Sequence, residues 1–391
     1  MKISTVKLGS ICTFQSGGTP SRSIPEYWEG NIPWITTVAL NGGYINEKDT
    51  GERITETALA KSAAKLVPAQ SLMVGTRVGV GKVAINTVPM STSQDVVSLI
   101  GIDEEKWYKP YLSRFLQGKS HDLQSQSRGA TIKGIKIEML SELNVPLISL
   151  EEQIRISKLL DTGETLILTR KQKLTELDTL VKARFVEMFG EPECNTKGWP
   201  LLNISELCTV GSSKRIYQSE QAQEGIPFLR IADLTNLINT GTVTAELYIP
   251  EMRYAELQAQ GQVPVKGDIL ITSRGTLGQC YIVKEDDRFY FQDGMISWLS
   301  KFVPDITPTY ISYLFAMPGF RKQIDSMQAG STVAYLSIAM IKKLKAMVPS
   351  VELQAQFATF VTQVNQTKSV VQKALDEAQT LFDSLMQQYF G

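Results

Sequence analysis

The sequence predicts an α+β fold that occurs twice, as two similar domains separated by two long helices that pack as an antiparallel coiled coil. An internal repeat is the first reason, because residues 129–190 and 330–391 align without a gap at an offset of 201. The second reason is the distribution of proline. Residues 147–191 and 350–391 contain none of the chain's 16 prolines, and proline interrupts helices. The third is that the remaining segments combine strand and amphipathic-helix patterns.

The repeat divides the chain into four segments. We predict a first domain over 1–147, a first helix over 148–190, a second domain over 191–349 and a second helix over 350–391. The helical segments correspond at Gly129/Gly330, Thr131/Thr332, Ile137/Ile338, Leu143/Leu344, Ser149/Ser350, Glu151/Glu352, Gln153/Gln354 and Phe189-Gly190/Phe390-Gly391.

The two domains repeat more loosely. SICT at 10–13 resembles ELCT at 206–209, and IPWI at 32–35 resembles IPFL at 226–229. GTRVGVGK at 75–82 resembles TSRGTLGQ at 272–279, which equates Arg77 with Arg274. Each of these glycine-rich stretches is predicted to be a turn between two strands. WYKPYLSRFLQG (107–118) and PTYISYLFAMPGFRKQI (308–324) are predicted to be amphipathic helices.

The helical segments carry start, stop and pairing signals. Ser149 to Glu152 fits a capping box at the start of the first helix, and Gly190 fits a left-handed cap at its end. Apolar residues recur every seven positions, as in a coiled-coil seam, although Gly163 weakens the pattern in the first helix. The series are Leu160, Ile167, Leu174, Val181, Met188, then Phe357, Val364, Val371, Ala378, Leu385, then Phe360, Thr367, Ala374, Leu381. We assign helix pairing to Ile167, Leu174, Val181, Val364, Val371 and Leu381.

The residues needed for common catalytic sites are missing. His121 is the sole histidine and lies in a polar stretch, and the four cysteines form no CxxC pair, which argues strongly against a Cys/His zinc site. Residues 75–82 do not form a phosphate-binding P-loop, because Thr76 and Val83 replace its first glycine and its Ser/Thr.

Asp95 with Glu104-Glu105-Lys106 resembles a metal-dependent nuclease cluster. The second copy keeps Asp293 but lacks the ExK, so a solvated acidic turn is favoured. We predict no catalytic residue and no metal.

The stretch SGGTPSRSIPEYWEGNIPWIT (16–36) has two interpretations. Gly17, Gly18 and Thr19 suggest a phosphate-binding loop, but no lysine follows at P-loop spacing and the second domain has GSSKRI there. Trp34 is predicted to be a core residue, because IPWI recurs as IPFL. For Tyr27 and Trp28 both core packing and base stacking stay open.

Composition and architecture together favour an extended ligand. The net charge is zero, with 40 basic and 40 acidic residues, which still permits a local basic face. No apolar run is long enough to cross a membrane and the N-terminus lacks a signal-peptide core, so we expect a cytoplasmic protein. Two similar domains held apart by rigid helices could read two separated patches on duplex DNA.

Several stretches resemble the specificity subunit of type I restriction-modification enzymes. They are GGTPSRSIPEYWEGNIPWI (17–35), MFGEPECNTKGWP (188–200), and the helix starts LEEQIRI (150–156) and VELQAQF (351–357). The resemblance implies a non-catalytic subunit that binds double-stranded DNA and recognises a bipartite target, one half per domain. It also implies docking of two methylation subunits and of motor-nuclease subunits. S-adenosylmethionine, ATP and Mg²⁺ would then bind to those partners and no cofactor to this chain.

The second domain departs from the first at its opening. VGSSKRIYQSEQAQEGIPFLR (210–230) lacks the GGTP and YW elements, so the resemblance implies two different half-sites and an asymmetric target. Long polar residues in predicted loops are the candidates for contacts with DNA bases or phosphates. They are Arg77, Gln124, Gln126, Arg128 and Lys133 in the first domain, and Lys214, Arg215, Arg230, Arg274 and Tyr335 in the second. The alternative is a coiled-coil adaptor whose two domains bind ligands other than DNA, and a free-standing nuclease using Asp95 and Glu104 is a second rival.

Overall fold

The computed structural model describes residues 4–128, 134–328 and 334–391, without the side chains of residues 127 and 128. The repeat pairs Gly129/Gly330 and Thr131/Thr332 therefore lie outside the described residues, as does Lys133. The chain forms two compact units. The first comprises Met1–Lys171 and Lys373–Gly391, and the second comprises Gln172–Gln372. Each unit thus contains one domain together with part of each long helical segment.

The described residues of the first unit form three sheets. Its strands are β1 (Thr5–Lys7), β2 (Thr13–Ser16), β3 (Ile32–Ile35), β4 (Tyr44–Ile45), β5 (Arg53–Ile54), β6 (Leu66–Val67), β7 (Leu72–Gly75), β8 (Val83–Asn86), β9 (Met90–Thr92), β10 (Val96–Ile100) and β11 (Asn144–Pro146). Its domain helices are α1 (Glu56–Lys61), α2 (Lys109–Gly118), α3 (Ser120–Arg128) and α4 (Ile137–Ser141), with 3-10 turns at Leu8–Ser10 and Pro25–Tyr27. The sheet orders are β2-β10-β7-β8-β4, β5-β3-β9-β6 and β1-β11.

Two long helices follow the two domains in the chain. They are α5 (Leu150–Phe189) and α12 (Val351–Phe390). Both lie within the proline-free segments, as the sequence predicts.

In the part of the chain that the structure describes, the second unit repeats the plan of the first with fewer strands. They are β12 (Leu201–Asn203), β13 (Thr209–Gly211), β14 (Ile226–Leu229), β15 (Tyr248–Ile249), β16 (Ile269–Thr272), β17 (Cys280–Ile282), β18 (Tyr290–Phe291), β19 (Ile296–Ser300) and β20 (Lys345–Met347). The sheet orders are β13-β19-β16-β17, β15-β14-β18 and β12-β20. Its domain helices are α6 (Ile204–Leu207), α7 (Ile231–Thr240), α8 (Glu251–Ala259), α9 (Pro308–Ala316), α10 (Pro318–Ser326) and α11 (Ile338–Lys343), with a 3-10 turn at Gln218–Glu220.

The predicted strand–turn–strand units are confirmed in both domains. β7 pairs antiparallel with β8, and β16 pairs with β17. Gly79 and Gly81 adopt left-handed φ angles of 62° and 81°, which permits the tight turn between β7 and β8. Backbone bonds close that turn, since the amide of Lys82 donates to the Gly79 carbonyl at 3.0 Å. The glycines therefore serve the turn.

The predicted helix over 308–324 is two helices. Met317 is extended at φ −76° and ψ 134° and separates α9 from α10. The physical reason is Pro318, which disfavours helical backbone at the residue before it. By contrast, the helix predicted over 107–118 is confirmed as α2.

The start and stop signals of α5 are only partly those predicted. The Ser149 hydroxyl accepts from the Glu152 amide at 3.3 Å, so the predicted N-cap is present. The reciprocal half of the capping box is not, because the Glu152 carboxylate binds Arg155 instead. Gly190 ends the helix at φ 81°, and its amide donates to the Val186 carbonyl at 2.8 Å. The predicted left-handed cap is confirmed.

The two long helices run antiparallel within each unit. In the first unit a Cβ at Gly163 would lie 3.2 Å from the Phe382 ring, so this glycine makes room for the partner helix. In the second unit Lys368 pairs with Asp178 at 2.6 Å. Within the first unit Arg155 also bonds with the Tyr389 hydroxyl at 3.4 Å, and within the second unit the rings of Phe185 and Phe357 meet at 5.5 Å between centroids. In each unit, rising numbers on one helix therefore meet falling numbers on the other, and the predicted antiparallel pairing is confirmed.

The buried face of α12 differs from the prediction in the second apolar series, which ends at Leu381. Leu381 is 61% exposed, so its assignment to helix pairing is wrong. Val361 and Leu375 are buried instead, four positions after Phe357 and Val371. Ile167, Val181 and Val364 are buried, and Leu174 and Val371 are half-buried. A sevenfold repeat does not say whether the second apolar series lies three or four positions after the first. The residues of the facing helix determine which of the two series is buried.

A buried glutamine joins each domain to the start of a long helix. The Gln153 side chain accepts from the Tyr108 amide at 2.9 Å and donates to the carbonyls of Lys106 and Ile148. Gln354 makes the same three contacts with Thr307, Asp305 and Pro349. Both side chains are fully buried. The repeated glutamine therefore satisfies a backbone donor and two acceptors that burial would otherwise leave unpaired.

The two domains differ in a second contact with the helices. Arg114 on α2 is buried and binds Asp161 at 2.7 Å as well as Glu164, both on α5. The glutamine contacts make Tyr313 on α9 the equivalent of Arg114, and its ring packs edge-on against Phe357 of α12 at 5.4 Å between centroids. An ion-paired contact in one unit thus corresponds to a neutral one in the other.

We expect Arg114→Met to loosen the first domain from the helix. The lost charged hydrogen bonds should cost about 1–3 kcal/mol, because the two carboxylates are half exposed and can be rehydrated. Hydrogen exchange of α2 amides measures this, and it should be faster in the variant. Tyr313→Phe is the matched control, for which we expect a smaller effect that is confined to α9. Equal exchange in Arg114→Met and the parent would contradict the assignment.

Among the helices in the described ranges, none combines the length and apolar character that spanning a bilayer requires.

Candidate nucleic-acid interface

One end of the main sheet in each domain collects exposed polar residues. In the second domain β16 ends at Thr272 opposite Ile296, the start of β19. The Ser212 hydroxyl, just beyond β13, donates to the Ile296 carbonyl at 3.0 Å. The three strands therefore present their loops at one end, which we call the sheet-end surface. It carries the exposed side chains of Lys214, Arg215 and Arg274.

The first domain has an equivalent sheet-end surface. The Thr76 amide donates to the Asp95 carbonyl at 2.8 Å, and Thr19 bonds through its hydroxyl to the Gln94 side chain. These contacts bring the segment after β2, the loop after β7 and the segment before β10 together. Arg77 is an exposed cation in the loop after β7, and Lys82 at the end of the same loop is exposed as well. Arg77 and Arg274, which the sequence alignment equated, therefore occupy the same position in the two similar domains.

The loop that carries Arg77 is supported on two sides. The Gln124 side chain on α3 donates to the Val80 carbonyl at 3.0 Å, and the Ile135 amide donates to the Thr76 carbonyl at 2.7 Å. A Cβ at Gly134 would lie 3.0 Å from Cγ of Arg77. No carboxylate of the described residues forms an ion pair with Arg77. Its guanidinium is thus exposed on a fixed loop.

The loop that carries Arg274 is supported in the same way. Arg321 on α10 donates to the Leu277 carbonyl at 2.8 Å, and the Leu336 amide donates to the Ser273 carbonyl at 3.0 Å. The guanidinium of Arg274 lies 5.5 Å from the Tyr335 ring centroid, a distance typical of a cation–π contact. Two predicted residues, Arg274 and Tyr335, are therefore neighbours.

The structure gives the other candidates different surroundings. Gln124 supports the Arg77 loop, and its counterpart Arg321 was missed because a helical arginine gives no sequence signal for this role. Arg215 pairs with Asp293 at 2.9 Å on the surface, which holds it weakly. Gln126 is exposed and lines a shallow groove with Glu138 and Glu142. The Arg128 side chain and Lys133 lie outside the described residues.

Arg230 is the most strongly engaged candidate. It precedes α7, where its guanidinium binds Asp233 at 3.3 Å and Glu246 at 2.8 Å. These hydrogen bonds raise the pKa of Arg230, so it stays charged. The two carboxylates would compete with a phosphate for the same donors.

The SGGTPS stretch is held by backbone contacts. The amides of Gly17 and Gly18 donate to the carbonyls of Val96 and Thr92 at 3.0 and 2.9 Å, so neither is free for a phosphate. A Cβ at either glycine would lie 2.2 Å from a backbone or side-chain oxygen. Glycine is therefore required by the close approach of neighbouring segments, in agreement with the sequence argument against a phosphate-binding loop.

The aromatic residues after that stretch pack together. Trp34 is buried and its indole N–H donates to the Gly18 carbonyl at 3.1 Å. Trp28 meets Trp34 edge-on at 5.1 Å between centroids, and Tyr27 packs against the same cluster. Arg22 covers the Trp28 ring at 3.7 Å. These rings therefore belong to a small core, as predicted for Trp34.

The nuclease-like cluster does not assemble. Asp95 precedes β10 and Glu104 follows it, so the five residues of the strand lie between them, about 16 Å of extended chain. Glu104 forms an ion pair with Lys109 instead. Within residues 4–128, 134–328 and 334–391, no group of three His, Cys, Asp or Glu side chains is arranged to hold a metal ion.

Comparison with known proteins points to one family. The family model described as the type I restriction modification DNA specificity domain matches residues 2–179 and 196–379. The specificity subunit of the type I restriction enzyme MjaIX of Methanocaldococcus jannaschii is 30% identical over 249 residues, covering 58% of this chain and 57% of that protein. The EcoR124I/EcoR124II specificity subunit of Escherichia coli is 30% identical over 166 residues, covering 41% of this chain and 40% of that protein. The matched part is thus about half the length of these relatives.

Solved structures share the fold over the whole chain. The S subunit of a type I restriction-modification system from M. genitalium covers 100% of this chain and 97% of its own, at a TM-score of 0.58 and 16% identity. A chain from a structural study of complex assembly and conformational transition of the type I R-M system reaches a TM-score of 0.63 at 17% identity. It covers 100% of this chain and 99% of its own.

Proposed function

Because this chain belongs to the type I restriction modification DNA specificity family, we propose that it is the subunit that recognises the DNA target of a type I restriction-modification complex. It reads a bipartite sequence in double-stranded DNA, one half-site per domain. The single observation that carries this proposal is the equivalent arginine, Arg77 or Arg274, exposed on a supported loop at the same end of each domain's sheet. Arginine pairs bidentately with guanine in the major groove, so it suits base readout.

The two half-sites differ in this proposal. Around Arg274 the second sheet-end surface offers Lys214, Arg215 and Tyr335, whereas the first offers Thr19 and Gln94 beside Arg77. Different donors and acceptors at equivalent positions select different bases. We therefore propose an asymmetric target. Mapping methylated adenines in the host genome tests this, and a symmetric or unsplit motif would contradict it.

Chemistry on DNA is assigned to partner subunits. We propose that methylation subunits bring S-adenosylmethionine and that motor-nuclease subunits bring ATP and Mg²⁺. The complex would act in the cytoplasm, where it meets DNA. One structural neighbour was solved in work on complex assembly of the type I R-M system, which supports a role within a complex. The adaptor interpretation is not favoured, because the family match covers both domains.

An apolar stripe on α5 is our candidate for docking a methylation subunit. Leu159 and Leu166 are seven residues apart, 38% and 46% exposed, and therefore on one face of the helix. A groove lined by Lys158, Asp161, Thr162, Thr165 and Leu166 runs along this face. Exposed apolar side chains in a row on a helix are typical of a binding surface.

We expect the double variant Leu159→Ser/Leu166→Ser to lose the methylation subunit. Removing two interface leucines should weaken docking by about 10-fold or more. Copurification of the coexpressed methylation subunit measures this. Leu168→Ser is the matched control, because Leu168 is also exposed on α5 but points to another face. Retention by the double variant, or equal loss in the control, would count against the stripe.

A further inference from the structure

The second domain contains a pocket that the proposed function does not use. Its volume is about 600 Å³, within the range of small-molecule sites. It lies between the sheet and the segment that leads into β16. Its lining includes Gly211, Val263, Asp268, Trp298, Lys301 and Phe302. Asp268 precedes β16 and Arg274 follows it, so the four-residue strand, about 13 Å long, separates the pocket from Arg274.

Asp268 is the polar centre of the pocket. Its side chain is 5% exposed, and its Oδ2 accepts from the Val265 amide and the Trp298 indole N–H, both at 2.9 Å. No described residue donates a hydrogen bond to Oδ1. Burial raises the pKa of Asp268, which reflects the cost of keeping a carboxylate there. A carboxylate oxygen only accepts, so a ligand group that binds Oδ1 would supply an N–H or O–H donor.

The walls of the pocket favour a flat ring with a negative substituent. The hydrogen bond to Asp268 fixes the Trp298 indole, Gly211 has no side chain, and Val263 and Phe302 are apolar. Lys301 is an exposed lining residue with a left-handed φ of 52°, and among the described residues no carboxylate forms an ion pair with it. Lys266, by contrast, is paired with Glu285 at 2.6 Å. Lys301 is therefore the cation available to an anionic group.

We propose that this pocket binds a nucleotide with an amino-bearing base, the amino group donating to Asp268 and the phosphate lying near Lys301. A planar ring, an N–H donor and an anionic group are the three features that the lining residues match. The site is confined to the second domain. Strand register places Ser71 and Ser98 of the first domain at the positions of Asp268 and Trp298. None of its lining residues is a proposed half-site contact, although Ser212 lines both the pocket and the sheet-end surface.

The test is isothermal titration of the full-length chain with AMP, adenosine and a short single-stranded oligodeoxyadenylate. We expect AMP to bind and Asp268→Asn to weaken it at least 10-fold, because asparagine can keep the contact with Trp298 while it presents a donor toward the ligand. We expect Lys301→Ala to weaken AMP about 3- to 10-fold and to leave adenosine unchanged. Lys301→Arg should retain AMP binding. Lys301 is exposed, so its variants remain informative if Asp268→Asn folds poorly.

The two ligand sources are separated by competition. If AMP binds and the oligonucleotide does not displace it, the site takes a free nucleotide. If the oligonucleotide displaces AMP, and does so less well in Lys301→Ala, the site takes an unpaired nucleotide of a strand. Absence of AMP and oligonucleotide binding at millimolar concentration, or binding that neither Asp268→Asn nor Lys301→Ala changes, would overturn the proposal.

Discussion

Replacing Arg77 with alanine is expected to weaken recognition of one half-site while the other half-site and complex assembly survive. Loss of a bidentate arginine–guanine pair costs about 1–3 kcal/mol, or about 5- to 150-fold in affinity. Arg77 lies on an exposed loop whose supports, Gln124 and the Ile135 amide, do not depend on its side chain. The fold of the domain should therefore persist. Methylation maps of cells that carry the variant measure the effect.

Arg274→Ala is the matched control for Arg77→Ala. It should relax the other half-site only, because Arg274 occupies the equivalent loop of the second domain. Arg77→Lys separates geometry from charge: lysine retains the positive charge but cannot reproduce the planar two-pronged contact. If lysine restores recognition fully, Arg77 only holds a phosphate. Unchanged methylation maps in Arg77→Ala would contradict the assignment of Arg77 to one half-site.

Replacing Gln354 with leucine is expected to detach α9 and the chain before it from the start of α12. Leucine would fill most of the same space, but it leaves the Thr307 amide and the carbonyls of Asp305 and Pro349 without their partner. Unsatisfied buried groups cost about 1–3 kcal/mol each. We expect a loss of about 2–4 kcal/mol in the free energy of local opening, allowing for partial rehydration. Hydrogen exchange of α9 amides measures it.

Gln354→Glu distinguishes hydrogen bonding from packing. Glutamate keeps the shape and the acceptor for Thr307, but when ionised it offers no donor to the two carbonyls. It should therefore destabilise α9 about as much as leucine. Gln366→Leu is the control, because Gln366 is exposed on the same helix. A variant at Gln354 that exchanges like Gln366→Leu would show that the three hydrogen bonds do not hold the domain.

The two long helices show how much of their packing the periodicity of the sequence can predict. The absence of proline and the sevenfold spacing were enough to predict two long antiparallel helices, because both signals are local to one chain segment. They were not enough to decide which second series faces the partner. Leu381 fits an offset of three but is exposed, whereas Val361 and Leu375 at an offset of four are buried. The facing helix determines that choice, and α5 lies about 200 residues away in sequence.

The opening SGGTPS stretch shows the same limit in a loop. Its glycines look like a phosphate site when only near neighbours are considered. Their amides are taken by Thr92 and Val96, and their missing side chains make room for Ala63 and Ser93. Each of these partners is more than 40 residues away along the chain. Glycine permits many conformations, so its sequence context alone does not say which neighbour requires it.

The sequence by itself determined the internal repeat, the mixed domains, the two long helices, the family resemblance and the pairing of Arg77 with Arg274. These follow from composition, period and self-similarity, which are properties of the chain read in order. The tertiary structure alone decided that Gln124 supports the Arg77 loop, that Gln153 and Gln354 join domains to helices, and that Asp268 and Trp298 meet at a pocket. Each of those depends on side chains from distant segments. An unpaired polar group becomes costly only when it is buried, and burial is decided by the folded chain.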